Sequence, residues 1–413
     1  MLDRAILRGE ISVHTLSNFS LNIVFAANIF PPEIGGPATY VEALARYMHE
    51  THHTVSLVCL SAYSGIDRSY PFPVHRIGLN RSKLAAHAAY FFKLGALSRK
   101  ADLVYAQGPV AGGVQANLLA RLQKTTYIVK VTGDYAWEQA ANDCGLLTSI
   151  EDFQKLSRGL PLRIVALRAI QKVVSRDARR VIVPSEYLRN LIRQWGVLKH
   201  RAVVIRNAAP TARLLPQMKE EIRDQLGLSG HTALSVGRLV PWKGFLKLVE
   251  AWPLVMQRLP EAKLIIVGDG PDENTLQKAV SDKGLQSSVR LVGRKTPDEL
   301  ALYFKACDIF LLNSGYEGLS HTILEAQAHG IPVAVSNAGG NSEIIRHGVN
   351  GLLFRNDQAS EIVEVVLRLF QSKEDAEQFA TAGLQHLHDY TIDRMFQDTV
   401  SLFQEIVYRD RVR

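Results

Sequence analysis

The chain has 413 residues, 47% of them hydrophobic and 21% charged, enough apolar material for two or three packed domains and too much for a disordered composition. A formal net charge of +8 favours phosphates, nucleic acids or anionic membranes as partners without choosing among them. Cys59, Cys144 and Cys307 are too few and too scattered for a disulfide framework or a zinc site, which fits a reducing cytoplasm.

Along the chain, residues 1–20 are interrupted by Asp3, Arg4, Arg8, Glu10 and His14 and lack the apolar core of a secretory signal. They read as a poorly ordered lead-in, and no later run approaches the roughly 18–20 apolar residues that span a bilayer. A strand is predicted at 21–26, a Pro- and Gly-rich loop at 28–37, a helix at 38–48 and a strand at 55–60. Strands at 102–106, 126–131 and 180–184 and a helix at 111–122 continue the alternation. Between 207 and 230, Pro210, Pro216 and the charged run at 219–224 break the pattern, which places a domain boundary there. The alternation restarts with strands at 234–237, 263–268, 289–292, 309–312 and 332–335, a helix at 244–259, and a mostly helical end at 360–407. Short apolar strands alternating with helices imply parallel sheets covered on both faces. The expected organisation is α/β: two doubly wound, Rossmann-like domains at 1–208 and 209–390, with 391–413 as a helix packing back on the first. Ligands of such sheets sit beyond the carboxyl ends of the strands, so the cleft between the domains is the expected site.

Five segments carry chemistry. In Gly315-Tyr316-Glu317-Gly318-Leu319-Ser320-His321-Thr322-Ile323-Leu324-Glu325, two glutamates eight positions apart flank a predicted helix start. Free N–H groups there attract a diphosphate, with Ser320 as a candidate cap. Glu317 can accept hydrogen bonds from sugar hydroxyls and Glu325 from a ribose. In Gly237-Arg238-Leu239-Val240-Pro241-Trp242-Lys243-Gly244, a planar fork and a point charge follow a buried strand, suited to charge building on a departing phosphate. Gly35-Gly36 after the first strand and Gly268-Asp269-Gly270 after a later one let backbone approach a ligand. Neither is a full dinucleotide fingerprint, which disfavours a nicotinamide dehydrogenase. Thr132-Gly133-Asp134, followed by Glu138, offers two acids to an acceptor hydroxyl or merely closes the cleft.

At these residues the chain resembles the GT-B nucleotide-sugar glycosyltransferases of family 4, over roughly residues 21–354. Glu317 and Glu325 match the family's E-x7-E motif, Arg238 and Lys243 its Gly-Arg-Leu…Lys-Gly motif, and Gly35-Gly36 its first-loop glycine pair. Ala338-Gly339-Gly340-Asn341-Ser342-Glu343 matches the loop before the closing Gly351-Leu352-Leu353. The resemblance implies retaining transfer of a UDP- or GDP-linked sugar to a glycan or lipid-linked acceptor, with no metal and no cofactor, as in polysaccharide or surface-glycan synthesis. It implies catalytic roles for Arg238, Lys243 and Glu317, the first two steadying the diphosphate leaving group. It implies donor contacts at Gly35, Gly36, Gly268, Gly293, Gly318, Leu319, Ser320 and Glu325. Relatives carry His-Gly-Asp or His-Asp where this chain has Thr132-Gly133-Asp134, so the histidine's role falls to Asp134 as an expectation.

Two basic, apolar-interleaved segments, 155–180 and 81–100, read either as helices packed on the sheet or as surfaces for an anionic membrane. The expected location is the cytoplasm, with peripheral attachment to its membrane face. Nucleic acid is disfavoured as a partner because no recognisable binding module interleaves aromatics with the cations. Nucleotide-sugar epimerisation and binding without turnover are the competing functions.

Overall fold

A computed structural model describes residues 19–33, 35–79, 82–146, 148–213 and 215–412. The expected lead-in at 1–18 lies outside the described residues. The first sheet holds β1 (Asn22–Ala26), β2 (Thr54–Ser61), β3 (Gly65–Asp67), β4 (Val74–Gly78), β5 (Leu103–Gln107), β6 (Tyr127–Lys130), β7 (Arg180–Val183) and β8 (Ala202–Val204). Their order is β3-β4-β2-β1-β5-β6-β7-β8. All pairings are parallel except β3 with β4. The second sheet holds β9 (Thr232–Val236), β10 (Lys263–Val267), β11 (Val289–Leu291), β12 (Ile309–Leu312), β13 (Val333–Ser336) and β14 (Leu352–Phe354). It is wholly parallel, in the order β11-β10-β9-β12-β13-β14.

Both sheets are covered on both faces, and the strand residues show why. In β1, Ile23 and Phe25 enter one core while Val24 and Ala26 enter the other, so nearly the whole strand must be apolar. The helix Ile392–Arg411 returns to the first domain, where Phe396 meets Tyr47 at 5.2 Å and Phe403 meets Tyr105 at 5.5 Å between ring centroids. The chain crosses between domains twice, near 205–209 and near 390, and the Ala209 N–H donates to the Tyr390 carbonyl at 2.8 Å where the crossings meet.

Strands β3, β4, β8 and β14 are absent from the sequence reading. β4 buries His75 and Arg76 rather than a plain apolar run. Arg76 is tolerated there because its guanidinium reaches Asp67 at 2.9 Å and Glu33 at 3.5 Å. The other three have only three residues each, too short to show a period.

Candidate active site

The carboxyl ends of both sheets open onto the space between the domains. On the second domain's side, a glycine follows each of β9, β10 and β11 within two residues: Gly237, Gly268 and Gly293. The Gly237 N–H donates to Val267 O and the Gly268 N–H to Gly293 O, both at 3.0 Å. Gly268 adopts φ 149°, and a side chain there would strike the Gly237 carbonyl. The close packing of β9 against β10 thus accounts for Gly268 without a ligand. Gly293, at φ 69°, faces open space.

After β9, a turn at Pro241–Lys243 ends in Gly244 at φ 67°, and the helix Phe245–Met256 begins. This turn aims Lys243 at the loop after β12. Its Nζ donates to Glu317 Oε1 at 2.5 Å, and Ser314 Oγ donates to the same oxygen at 2.6 Å. Both partners are largely buried, which makes the pair stronger than a surface ion pair. Arg238 is exposed and forms no ion pair among the described residues.

The helix after Glu317 begins only at His321 and ends at Ala328. Glu325 therefore lies about one turn inside it. Burial alone pushes the Glu325 carboxyl up to about 7, since no cation is paired with it. Ser320 occupies the N-cap position, but its hydroxyl meets Thr322 Oγ1 at 3.0 Å and makes no cap bond, against the sequence expectation. Leu319 puts its side chain in the second domain's core.

Gly318 has a packing reason of its own. A methyl group there would lie 2.8 Å from the Leu188 methyl and 2.5 Å from the Thr132 carbonyl, both of the first domain. Ser185 Oγ donates to the Gly318 carbonyl at 2.5 Å. The glycine is needed so that the two domains can touch. Gly339 and Gly340 press on the other side of the same loop, and the Gly340 N–H donates to the Glu317 carbonyl at 2.8 Å. Glu343 then accepts from the N–H groups of Glu186 (2.9 Å) and Tyr187 (2.8 Å), capping a first-domain helix, Glu186–Gln194. Trp137 packs against Trp242 (5.3 Å) and Tyr316 (5.2 Å) across the same boundary.

On the first domain's side, a cavity of about 350 Å³ opens at the ends of β1, β5 and β6, lined in part by Asn28, Pro37, Gln107, Thr132 and Glu138. Gly35 and Gly36 immediately precede Pro37 at the start of the helix Gly36–Glu50; Gly36 faces open space, while a side chain on Gly35 would press on Ile29.

Asp134 does not serve this cavity. It is fully buried and caps the helix Tyr135–Cys144, with Oδ1 accepting from the Trp137 N–H (3.0 Å) and Gln171 Nε2 (2.7 Å), and Oδ2 from Gln154 Nε2 (2.7 Å). An acid one residue before a helix is favoured as a cap, and that preference explains Asp134. Glu138, one turn further, turns into the cavity instead. Burial and the Asp134 carboxylate push its carboxyl up to about 7, against the pull of Arg238 and Lys243 across the cleft.

Two groups escaped the sequence reading. His321, at the first helical position, is held neutral, its pKa driven down to about 4 by burial and by Lys130, with Glu317 opposing. A helix N-terminus disfavours a charged imidazole, which was the available signal. Lys130, at the end of β6, is buried with no hydrogen-bond partner for its ammonium, which sits 3.4 Å above the Tyr40 ring centroid.

Two Rossmann-like domains, with a cation-carboxylate pair at a helix mouth on one side and a polar cavity on the other, define a GT-B protein. The chain belongs to the group 1 glycosyltransferases: residues 218–386 match the family described as glycosyl transferases group 1, and residues 35–208 match the glycosyl transferase 4-like domain. One relative is the GDP-mannose-dependent alpha-(1-6)-phosphatidylinositol monomannoside mannosyltransferase of Mycobacterium tuberculosis, 32% identical over 41% of this chain and 46% of the relative. Another is alpha-monoglucosyldiacylglycerol synthase of Streptococcus pneumoniae, 27% identical over 63% of this chain and 65% of the relative. The chain thus spans less than two thirds of either relative's length. The crystal structure of Anabaena HepE in complex with UDP superposes with a TM-score of 0.74 at 19% identity, covering 93% of this chain and all of that one.

Proposed function

We propose that the protein moves a hexose from a UDP- or GDP-linked donor to a hydroxyl of a glycan or lipid-linked acceptor, with retention and without a bound metal. The observation that carries this reading is the buried Lys243–Glu317 pair beside the unpaired Arg238, in electrostatic reach of Glu138 on the facing domain. Arg238 and Lys243 supply the positive charge that a departing nucleoside diphosphate needs. Glu317 is placed to accept from the donor sugar's hydroxyls and Glu325 from the ribose. The bond from the anomeric carbon to the diphosphate oxygen breaks, the acceptor oxygen bonds that carbon on the same face, and the acceptor proton passes to the departing phosphate. The sugar's binding partners are those that relatives' names suggest: one uses GDP-mannose, and HepE holds UDP. The presence of Arg238, Lys243, Glu317 and Glu325 together argues against silent binding, whereas donor turnover without any acceptor would favour epimerisation.

A panel of UDP- and GDP-sugars tested by thermal shift checks the donor. At a hundredfold excess over its Kd, the true donor stabilises by about 2.7 kcal/mol, or roughly 5–10 °C. The response should grow as the pH rises through about 7. In the free protein the ionised Glu325 is the disfavoured form, so raising the pH costs stability that a hydroxyl-donating ribose restores. Glu325→Gln should flatten that growth. A panel in which no nucleotide sugar moves the melting temperature would overturn the proposed function.

Peripheral contact with an anionic membrane belongs to the same proposal. Among the described residues no helix is long and apolar enough to cross a membrane. The helices Lys83–Ser98 and Leu162–Asp177 nevertheless hold Leu84, Phe92 and Leu162 out to solvent, each more than 70% exposed, beside their cations. Flotation with phosphatidylglycerol vesicles should exceed flotation with phosphatidylcholine vesicles, and the excess should fall as salt rises; equal binding to both would refute the contact.

A further inference from the structure

The two domains share the task of completing one helix. The helix Glu186–Gln194 opens with three backbone N–H groups that have no acceptor within it. The Leu188 N–H is met from the first domain itself, by the cap Ser185 Oγ at 3.1 Å. Those of Glu186 and Tyr187 are met from the second domain, by the two carboxylate oxygens of Glu343 at 2.9 and 2.8 Å. Separating the domains would strip away two of the three acceptors, so this helix end is complete in the closed arrangement.

Ser185 carries the contact back the other way. Its side chain is fully buried, and its hydroxyl donates to the Gly318 carbonyl at 2.5 Å. Gly318 directly follows Glu317. The Glu317 carbonyl accepts from the Gly340 N–H at 2.8 Å, and Glu317 Oε1 accepts from Lys243 and Ser314. Ser314 is itself held by Ser336, whose hydroxyl donates to the Ser314 carbonyl at 2.6 Å. The second domain therefore fixes one side of the Glu317 loop and the first domain the other. Gly340 caps the short helix Asn341–Ile344 that carries Glu343, so the grip on the Glu317 carbonyl and the grip on the first-domain helix belong to one segment.

We infer that Ser185 and Glu343 are positioning residues for the donor sugar: by joining the first-domain helix to the Glu317 loop, they set Glu317 in its working place when the cleft closes. The inference rests on the glycosyltransferase reading above, in which Glu317 accepts from the sugar's hydroxyls. In that reading neither residue touches the donor. Both act through the backbone on either side of Glu317. Their loss should fall on the sugar and spare the nucleotide, which Arg238, Lys243 and Glu325 hold.

The test uses the full chain and calorimetric affinities for UDP-glucose, GDP-mannose, UDP and GDP. Ser185→Ala and Glu343→Gln should each weaken the nucleotide sugar that the wild type binds by at least fivefold, with the matching diphosphate within twofold of wild type. Ser185→Thr keeps a hydroxyl and should restore sugar-nucleotide affinity to within twofold. Glu317→Gln should weaken the nucleotide sugar at least fivefold, and adding Ser185→Ala to it should cost no more than a further twofold, because residues that act through one contact are not additive. Opening of the junction has its own signature. Trp137 and Trp242, 5.3 Å apart across the boundary, should emit at longer wavelength in Ser185→Ala and Glu343→Gln. Losses that multiply in the double variant, unchanged sugar-nucleotide affinity in Ser185→Ala, or diphosphate affinity falling in parallel would each overturn the inference. Should Ser185→Ala fail to fold, Glu343→Gln decides by the same criteria, alone and combined with Glu317→Gln. A wild type that binds none of the four nucleotides would instead strike the glycosyltransferase reading, and unshifted emission in both variants would then refute the junction.

Discussion

Arg238→Ala is expected to lower the rate of sugar transfer by about 10²–10³, the range seen when one group that stabilises transition-state charge is removed. Arg238 is exposed and forms no ion pair among the described residues, so its removal takes only its pull on Glu138 from the protein and the folded state should survive. The loss should fall on kcat more than on donor KM, because negative charge on the diphosphate grows as the glycosidic bond breaks. Lys243→Ala should be at least as damaging to the rate but less clean. It strips Glu317 of its main partner, leaving Ser314 as the only group that still donates to Oε1. Removing one member of a buried ion pair costs about 3–5 kcal/mol in general, so a melting measurement must accompany the kinetics. A rate within threefold of wild type for Arg238→Ala would remove that residue from the leaving-group site.

Asp134→Ala should do the opposite: a large loss of stability with the site chemistry intact. The substitution deletes the N-cap that accepts from the Trp137 N–H and leaves the Gln171 amide without its acceptor, while the Gln154 amide keeps the Ile150 carbonyl. A lost cap costs about 1 kcal/mol and a buried orphaned donor about 1–3 kcal/mol, so a total of roughly 2–4 kcal/mol is expected. At roughly 2–4 °C per kcal/mol for domains of this size, the melting temperature should fall by about 5–15 °C. Below that transition the nucleotide response should match wild type. A variant that melts like wild type yet fails to turn over would show that Asp134 acts in the chemistry after all.

The contrast between Asp134 and Glu138 shows what could be read from sequence and what could not. The central strands were legible because each is buried on both faces and must be apolar throughout, as in Phe25 and its neighbours on β1. The motif Glu317…Glu325 was legible because its spacing spans a loop and one turn of helix within a single segment. Asp134 and Glu138, by contrast, are both acids after a strand, and only the start of the helix at Tyr135 decides which one caps and which one faces the cavity. His321 and Lys130 were invisible because their meaning lies in each other: they act across the domain boundary, far apart in the chain. The packing need for Gly318 was invisible for the same reason, since the atoms that require a glycine there belong to Thr132 and Leu188. Local pattern reports what a segment needs for itself; contacts between domains leave no such trace.

The proposed transfer requires Arg238, Lys243 and the mouth of the His321–Ala328 helix to meet one diphosphate. Calorimetric affinities for the cognate nucleoside diphosphate and monophosphate, in the wild type and in Arg238→Ala/Lys243→Ala, isolate that contact. The wild type should bind the diphosphate at least tenfold more tightly, and the double variant should reduce the preference to threefold or less while leaving monophosphate affinity nearly unchanged. A preference that persists in the double variant would contradict the account.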